Sequence, residues 1–292
     1  EIPRSKPTGN YLIKLLEEHH FKPKRRLGQT FLIDKKSIKN TLLAAELKKS
    51  DTVVEIGPGL GAITKEIAKK ARPARQSPDG LRRLADGKII AIEKDEELVK
   101  ILKEELKNFK NIEIIHGDIL KFNPNACRLM PNANKIVANL PFNIAAPTIR
   151  RFLESDCPPT LMVLITQKEV AERICSSPPK MSLLSVAVQL YSKPKIVKII
   201  KKESFWPKPK VDSAILKIVP RRSAHSIGVN QLLFFKIAKT GFSQPRKQLK
   251  NNLKKIFSEE TEKILKKAEI DPTCRAETLT VKDWIKIYNM VK

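Results

Sequence analysis

The chain has 292 residues and a formal charge of +26, with 57 Lys and Arg against 31 Asp and Glu. Its length allows one large domain, or a large one with a small one. No apolar run approaches a membrane span, its four cysteines form neither a disulfide framework nor a metal-ligand pattern, and a balance this basic points to a polyanionic partner, nucleic acid first.

The N-terminus, from Glu1 to Lys6, lacks a secretory apolar core, so a cytoplasmic protein is expected, an organelle remaining open. Residues 1–26 read as a basic segment with a short helix around Tyr11–Leu16 and a run of cations that includes Arg25 and Arg26. This run abuts Gly28-Gln29-Thr30-Phe31-Leu32, a stretch with the look of ordered structure, and so suits an arm that contacts phosphates. Asp34 or Ser37 can cap a helix that reaches about Leu47. Thr52–Ile56 is a β-branched strand that passes through Glu55 into Gly57-Pro58-Gly59-Leu60-Gly61. Glycines there let the backbone turn sharply against a ligand, and the helix from Ala62 points its positive end at the same place. Arg72–Arg83, full of breakers and cations, reads as an inserted surface loop.

Lys88–Glu93 is the second strand, and Asp95 caps a helix with Leu98, Ile101, Leu102 and Leu106 at helical spacing. Ile112–Asp118, Ile136–Phe142 and Leu161–Thr166 are further strands, and helices are expected over 168–175 and 182–191. Ile196–Ile200 and Ala214–Val219 are two late strands, joined through Phe205–Asp212. They lie too close together for a helical crossover, so at least one is expected to run antiparallel. Beyond Pro220 the composition turns to lysine-rich helix. The chain therefore divides into a basic N-terminal segment, an α/β domain over 27–220 and a small all-α domain over 221–292.

Strand alternating with helix means right-handed βαβ units in a mostly parallel sheet, whose ligands bind at the carboxyl ends of the strands. Glu55, Glu93, Asp118 and Asn139 all fall at such ends. The glycine turn also satisfies G-x-G-x-x-A, so by itself it leaves a dinucleotide and other nucleoside cofactors open, and the displaced acid Glu93 suits a ribose in either case. Asn139-Leu140-Pro141-Phe142 tips the balance. It sets an amide oxygen, a main-chain carbonyl and a flat aromatic face at the mouth of the cradle, a set suited to a flipped purine with an exocyclic amine.

From about Pro23 to Leu253 the chain resembles the small-subunit ribosomal RNA adenine N6-dimethyltransferases. The resemblance rests on Gly28–Leu32, the glycine turn, Glu93, Gly117-Asp118, Asn139–Phe142, Gln167-Lys168-Glu169, Phe205–Ala214 and Arg246–Leu253, in that order. It implies the Rossmann-like class I methyltransferase sheet, S-adenosylmethionine as cofactor, no metal, and small-subunit rRNA or an immature small ribosomal subunit as partner. A monomer that also aids subunit assembly is expected.

By the same resemblance Glu55, Gly57, Gly59 and Gly61 serve the methionine end of the cofactor, Glu93 the ribose and Asp118 the adenine amine. Gln29, Thr30 and Leu32 approach the cofactor from the N-terminal side. Asn139 and Leu140 bind the target amine, Phe142 and Phe205 sandwich the target base, and Arg25, Arg26, Lys208, Lys210, Arg246 and Lys247 face the RNA backbone. The chain departs from the family at Thr30, usually asparagine, at Phe142, usually tyrosine, and at Pro245, often arginine. The alternatives are a large-subunit rRNA adenine methyltransferase, a non-catalytic nucleic-acid binder and, remotely, a dinucleotide-dependent oxidoreductase.

Overall fold

The computed structural model describes residues 8–70, 87–122, 133–221 and 228–292. The Arg72–Arg83 insertion, Cys127 and His225 lie outside the described residues. In chain order the first elements are α1 (Thr8–Glu18), β1 (Phe31–Leu32), α2 (Lys35–Ala44), β2 (Thr52–Ile56), α3 (Ala62–Lys70), β3 (Lys88–Glu93) and α4 (Glu96–Leu106). They are followed by β4 (Ile112–His116), β5 (Ala133–Asn139), α5 (Phe142–Leu153), β6 (Leu161–Gln167), α6 (Lys168–Ile174), α7 (Leu183–Tyr191), β7 (Ser192–Ile200), β8 (Phe205–Trp206) and β9 (Ser213–Pro220). The last are α8 (Gln231–Gly241), α9 (Leu249–Phe257), α10 (Thr261–Lys267) and α11 (Val281–Asn289).

One compact unit comprises Glu1–Ala171 with Lys195–Val219, and the other Glu172–Pro194 with Pro220–Lys292. The first is built on a seven-stranded sheet in the order β4-β3-β2-β5-β6-β9-β7. The pairs β2/β3, β3/β4, β2/β5 and β5/β6 are parallel, and β9 runs antiparallel to β6, so one of the two late strands is antiparallel as expected. Val53, Val54, Ile89, Ile90, Ile136, Val137 and Met162–Ile165 are all buried. Such unbroken apolar runs are what a parallel sheet covered on both faces needs.

From β2 the chain builds outward through β3 and β4, then returns to the other side of β2 as β5. This reversal opens a crevice beyond the carboxyl ends of β2 and β5, where ligands of such sheets bind. In register, Glu93 lies opposite His116, Ile56 opposite Ala138, and Asn139 opposite Ile165, so the polar strand ends share one edge.

Capping follows the sequence signals. Asp34 accepts the Lys36 and Ser37 N–H groups ahead of α2, Asp95 accepts the Glu97 N–H ahead of α4, and Ser182 forms a capping box with Ser185 ahead of α7.

The N-terminal segment is packed rather than free. Leu12, Leu15 and Leu16 of α1 join Phe21, Phe31, Leu60, Leu98 and Ile101 in one buried cluster. Lys65 and Tyr11 both bond to Glu105, Lys65 at 2.5 Å, which ties α1 to α3 and α4. A separate two-stranded sheet pairs β1 with β8, setting Phe31 opposite Trp206 and Leu32 opposite Phe205.

The second unit packs α7, α8, α9 and α11 around Phe234, Ile237, Leu253, Trp284 and Tyr288, all buried. The apolar Leu183–Tyr191 helix belongs here because its buried Val186, Ala187, Val188 and Leu190 need helical partners.

Candidate active site

The three glycines after β2 take left-handed backbone conformations, with φ of +66° at Gly57, +58° at Gly59 and +75° at Gly61. For an L-residue each would cost about 1–2 kcal/mol. Space adds a second constraint: a Cβ on Gly59 would lie 3.0 Å from the Phe31 ring and one on Gly61 3.1 Å from Leu102. A Cβ on Gly57 would come 3.5 Å from the carbonyl of Asn139, so the turn and the end of β5 face each other across the crevice.

Three carboxylates stand at or just beyond the carboxyl ends of the strands. Glu93 is buried; its Oε2 accepts the Gly59 N–H at 3.1 Å, and its Oε1 accepts those of Lys94 at 2.8 Å and Asp95 at 3.0 Å. Burial raises its pKa, and the three N–H groups oppose that rise. A carboxylate offers about four acceptor positions, so one remains for a ligand hydroxyl. Asp118 accepts the Lys94 ammonium at 2.8 Å and the Leu120 N–H at 3.0 Å, and these bonds hold it below the usual carboxylate range. Glu55 is 2 % exposed, and among the described residues its Oε2 has no hydrogen-bond partner. Burial, with the Glu93 charge adding to it, pushes Glu55 up to about 8.

Across the crevice, Asn139 donates from Nδ2 to the Thr30 carbonyl at 2.9 Å. A carbonyl can only accept, so this bond assigns the two ends of the amide and leaves Oδ1 as the acceptor facing elsewhere. The Leu140 N–H bonds to the Ile165 carbonyl at 2.9 Å, which carries the backbone from β5 into Pro141 at the head of α5. Phe142, the first residue of α5, is 63 % exposed.

A family model for ribosomal RNA adenine dimethylases matches residues 20–292. The chain belongs to this family. It is 38% identical to the ribosomal RNA small subunit methyltransferase A of Dehalococcoides mccartyi over 93% of this chain and 89% of that one. It is likewise 38% identical to the protein of that name from Clostridium botulinum, over 95% and 97%. Among solved structures the fold matches a dimethyladenosine transferase from Plasmodium falciparum, with a TM-score of 0.69 and 24% identity over 87% of this chain and 94% of that one. It also matches the 23S rRNA methyltransferase ErmE, with a TM-score of 0.65 and 22% identity over 89% and 98%.

Membership in the adenine dimethylase family makes the chain an rRNA methyltransferase with S-adenosylmethionine as cofactor, and it removes the dinucleotide reading that the glycines alone left open. The cradle fits that group. The turn carries glycine at its three left-handed positions, Glu93 keeps an acceptor position for a ribose hydroxyl, and the Oε2 of buried Glu55, two residues before the turn in β2, has no hydrogen-bond partner among the described residues.

The remaining family landmarks differ in exposure and in partners. Leu32 and Phe205 are buried in one cluster, 4 % and 3 % exposed, while Phe142 stands open. Both ends of the Gln29 amide are engaged: Oε1 accepts the Lys24 N–H at 2.7 Å and Nε2 donates to Asp95 at 2.8 Å. Lys24 itself pairs with Asp95 at 2.9 Å and with Glu97 at 3.1 Å. The sequence marked Asp95 only as a helix cap; nothing local signals a partner so far away in the chain.

Arg25 lies in a short 3-10 turn, Arg25–Leu27. Arg26, Lys208 and Lys210 are exposed on the first unit, Lys208 pairing with Glu203 at 2.7 Å. Arg246 and Lys247 are exposed on the second, in the turn before α9. Buried Asn252 braces that turn by donating to the carbonyls of Gly241 at 2.7 Å and Gln244 at 3.1 Å.

Proposed function

We propose that this protein dimethylates the N6 amine of adenine in small-subunit ribosomal RNA, acting on the small subunit as it is assembled. The observation that carries the reading is the Asn139 amide, anchored through Nδ2 so that Oδ1 is left as the acceptor, on a residue whose main-chain carbonyl faces the glycine turn. The small-subunit assignment draws support from the names of the curated relatives, and the +26 charge suits a phosphate-rich partner.

S-adenosylmethionine supplies an electrophilic methyl on a sulfonium, so the protein's task is alignment and exclusion of water. Gly57, Gly59, Gly61 and Glu55 serve the methionine end, Glu93 the ribose hydroxyls and Asp118 the adenine amine, with Thr30 and Leu32 closing over from the N-terminal side. An adenine N6 lone pair is delocalised into its ring and is a weak nucleophile. Accepting hydrogen bonds from its N–H groups at Asn139 Oδ1 and at the Leu140 carbonyl favours a pyramidal nitrogen with the lone pair free. No strong base is needed before attack, because the proton leaves afterwards. Phe142 offers its open face to the flipped base and Phe205 backs the pocket from the core. Stacking of this kind offsets the few kcal/mol of unstacking. Arg25, Arg26, Lys208, Lys210, Arg246 and Lys247 contact the RNA backbone.

The test incubates the protein and isotopically labelled cofactor with unmethylated small subunits and, in parallel, with large-subunit RNA, and analyses the nucleosides by mass spectrometry. N6,N6-dimethyladenosine is the expected product. Methylation of large-subunit RNA instead, or none at all, overturns the proposal.

A further inference from the structure

We infer that Gln29 is a positioning residue: held between Lys24 and Asp95, it fixes the Thr30 carbonyl that keeps the Asn139 amide turned with its oxygen toward the target amine. The inference rests on the proposed role of Asn139. An Asn side chain offers a donor at one end and an acceptor at the other, and rotation by half a turn exchanges them. A target amine is itself a donor, so only one orientation is productive. The bond that selects it goes to the main-chain carbonyl of Thr30, which makes the side chain at position 30 irrelevant to that selection.

What holds the carbonyl is the segment around it. One residue earlier, Gln29 is fixed at both ends of its amide. On either side the backbone is wedged. Gly28, at φ +63°, has its Cβ position 3.0 Å from Pro141, and the Phe31 ring sits 3.0 Å from that of Gly59. Asp95 receives the Gln29 donor through Oδ2, and its own N–H donates to Glu93 Oε1 at 3.0 Å. One short hydrogen-bonded path thus runs from the ribose acid Glu93 through Asp95 and Gln29 to Thr30 and Asn139, linking the cofactor side of the crevice to the base side.

Exchanging donor and acceptor tests this path. Gln29→Glu keeps the Lys24 N–H acceptor but sets a carboxylate against Asp95. Adding Asp95→Asn restores a donor at the Oδ2 position, while Oδ1 continues to serve Lys24 and the Glu97 N–H and the net charge returns to that of the wild type. Gln29→Glu is expected to lower kcat about tenfold with little change in KM for the subunit, and the double variant to recover to within about threefold of wild type. Gln29→Met, which removes both bonds without introducing repulsion, is expected to lose a similar rate and not to be rescued by Asp95→Asn.

Independently of turnover, the Asn139 side-chain amide signals in heteronuclear NMR, assigned by their loss in Asn139→Ala, are expected to shift to faster exchange in Gln29→Glu and to return in the double variant. Wild-type rate and wild-type Asn139 signals in Gln29→Glu, or a loss that the double variant leaves uncorrected, overturn the inference. A wild-type protein that transfers no methyl overturns the functional reading instead, and the NMR comparison still decides this one.

Discussion

Glu55→Gln is expected to make the protein more stable at neutral and alkaline pH while leaving it little changed in acid. Glu55 sits in β2 at 2 % exposure, and its burial, with the Glu93 charge nearby, raises it from the ordinary 4.5 to about 8. Between those values the folded protein holds a proton that the unfolded chain has released. Stability is therefore greatest below 4.5 and falls as the pH rises through about 8. At about 1.4 kcal/mol per pH unit the loss across the whole window reaches ~5 kcal/mol, and ~3 kcal/mol by pH 7, both upper values because the surroundings relax when the acid ionises. A glutamine of the same shape does not titrate. Urea unfolding of both proteins followed by circular dichroism across this range isolates the effect, since every other titrating group is common to the pair. A difference between them that stays flat with pH refutes the reasoning.

Asn139→Ala should abolish methyl transfer while cofactor affinity, measured by calorimetry, stays near wild type; normal dimethylation by this variant would sink the site assignment. In Gly59→Ala the left-handed φ of +58° and the Phe31 ring 3.0 Å away both oppose the new methyl, so stability should drop by ~2 kcal/mol and the cofactor Kd rise about tenfold. An unchanged Kd would refute the close-approach argument. Phe142→Ala should reduce kcat/KM about tenfold to a hundredfold through lost stacking, with Phe142→Tyr near wild type; equal activity of Phe142→Ala would remove the ring from the base site. Arg246→Ala combined with Lys247→Ala should flatten the log–log salt dependence of subunit binding by about 1.5, read by titration in increasing potassium chloride. An unchanged slope would place the RNA elsewhere.

The strand-helix alternation, the parallel core of the sheet, the antiparallel late strand, the helix caps and the glycine turn were all legible in the residue order. Each depends on interactions within a few positions or on a hydrophobic period that one element carries by itself. The polar residues at strand ends were legible too, because βαβ connectivity dictates which end of a parallel sheet binds ligands. Other features took shape only in the folded chain. Phe31–Leu32 and Phe205–Trp206 are two-residue strands, too short to show any period, and their pairing arises from packing against the core. The same packing buries Phe205 and leaves Phe142 exposed, a difference that two aromatic letters do not carry. Leu183–Tyr191 is an apolar run whose period alone is ambiguous, and its partners assign it to the helical unit. The orientation of Asn139 depends on Thr30, and Gln29 and Lys24 depend on Asp95. These bonds join residues far apart in the chain, and only the packing of the sheet and its N-terminal arm brings them within reach.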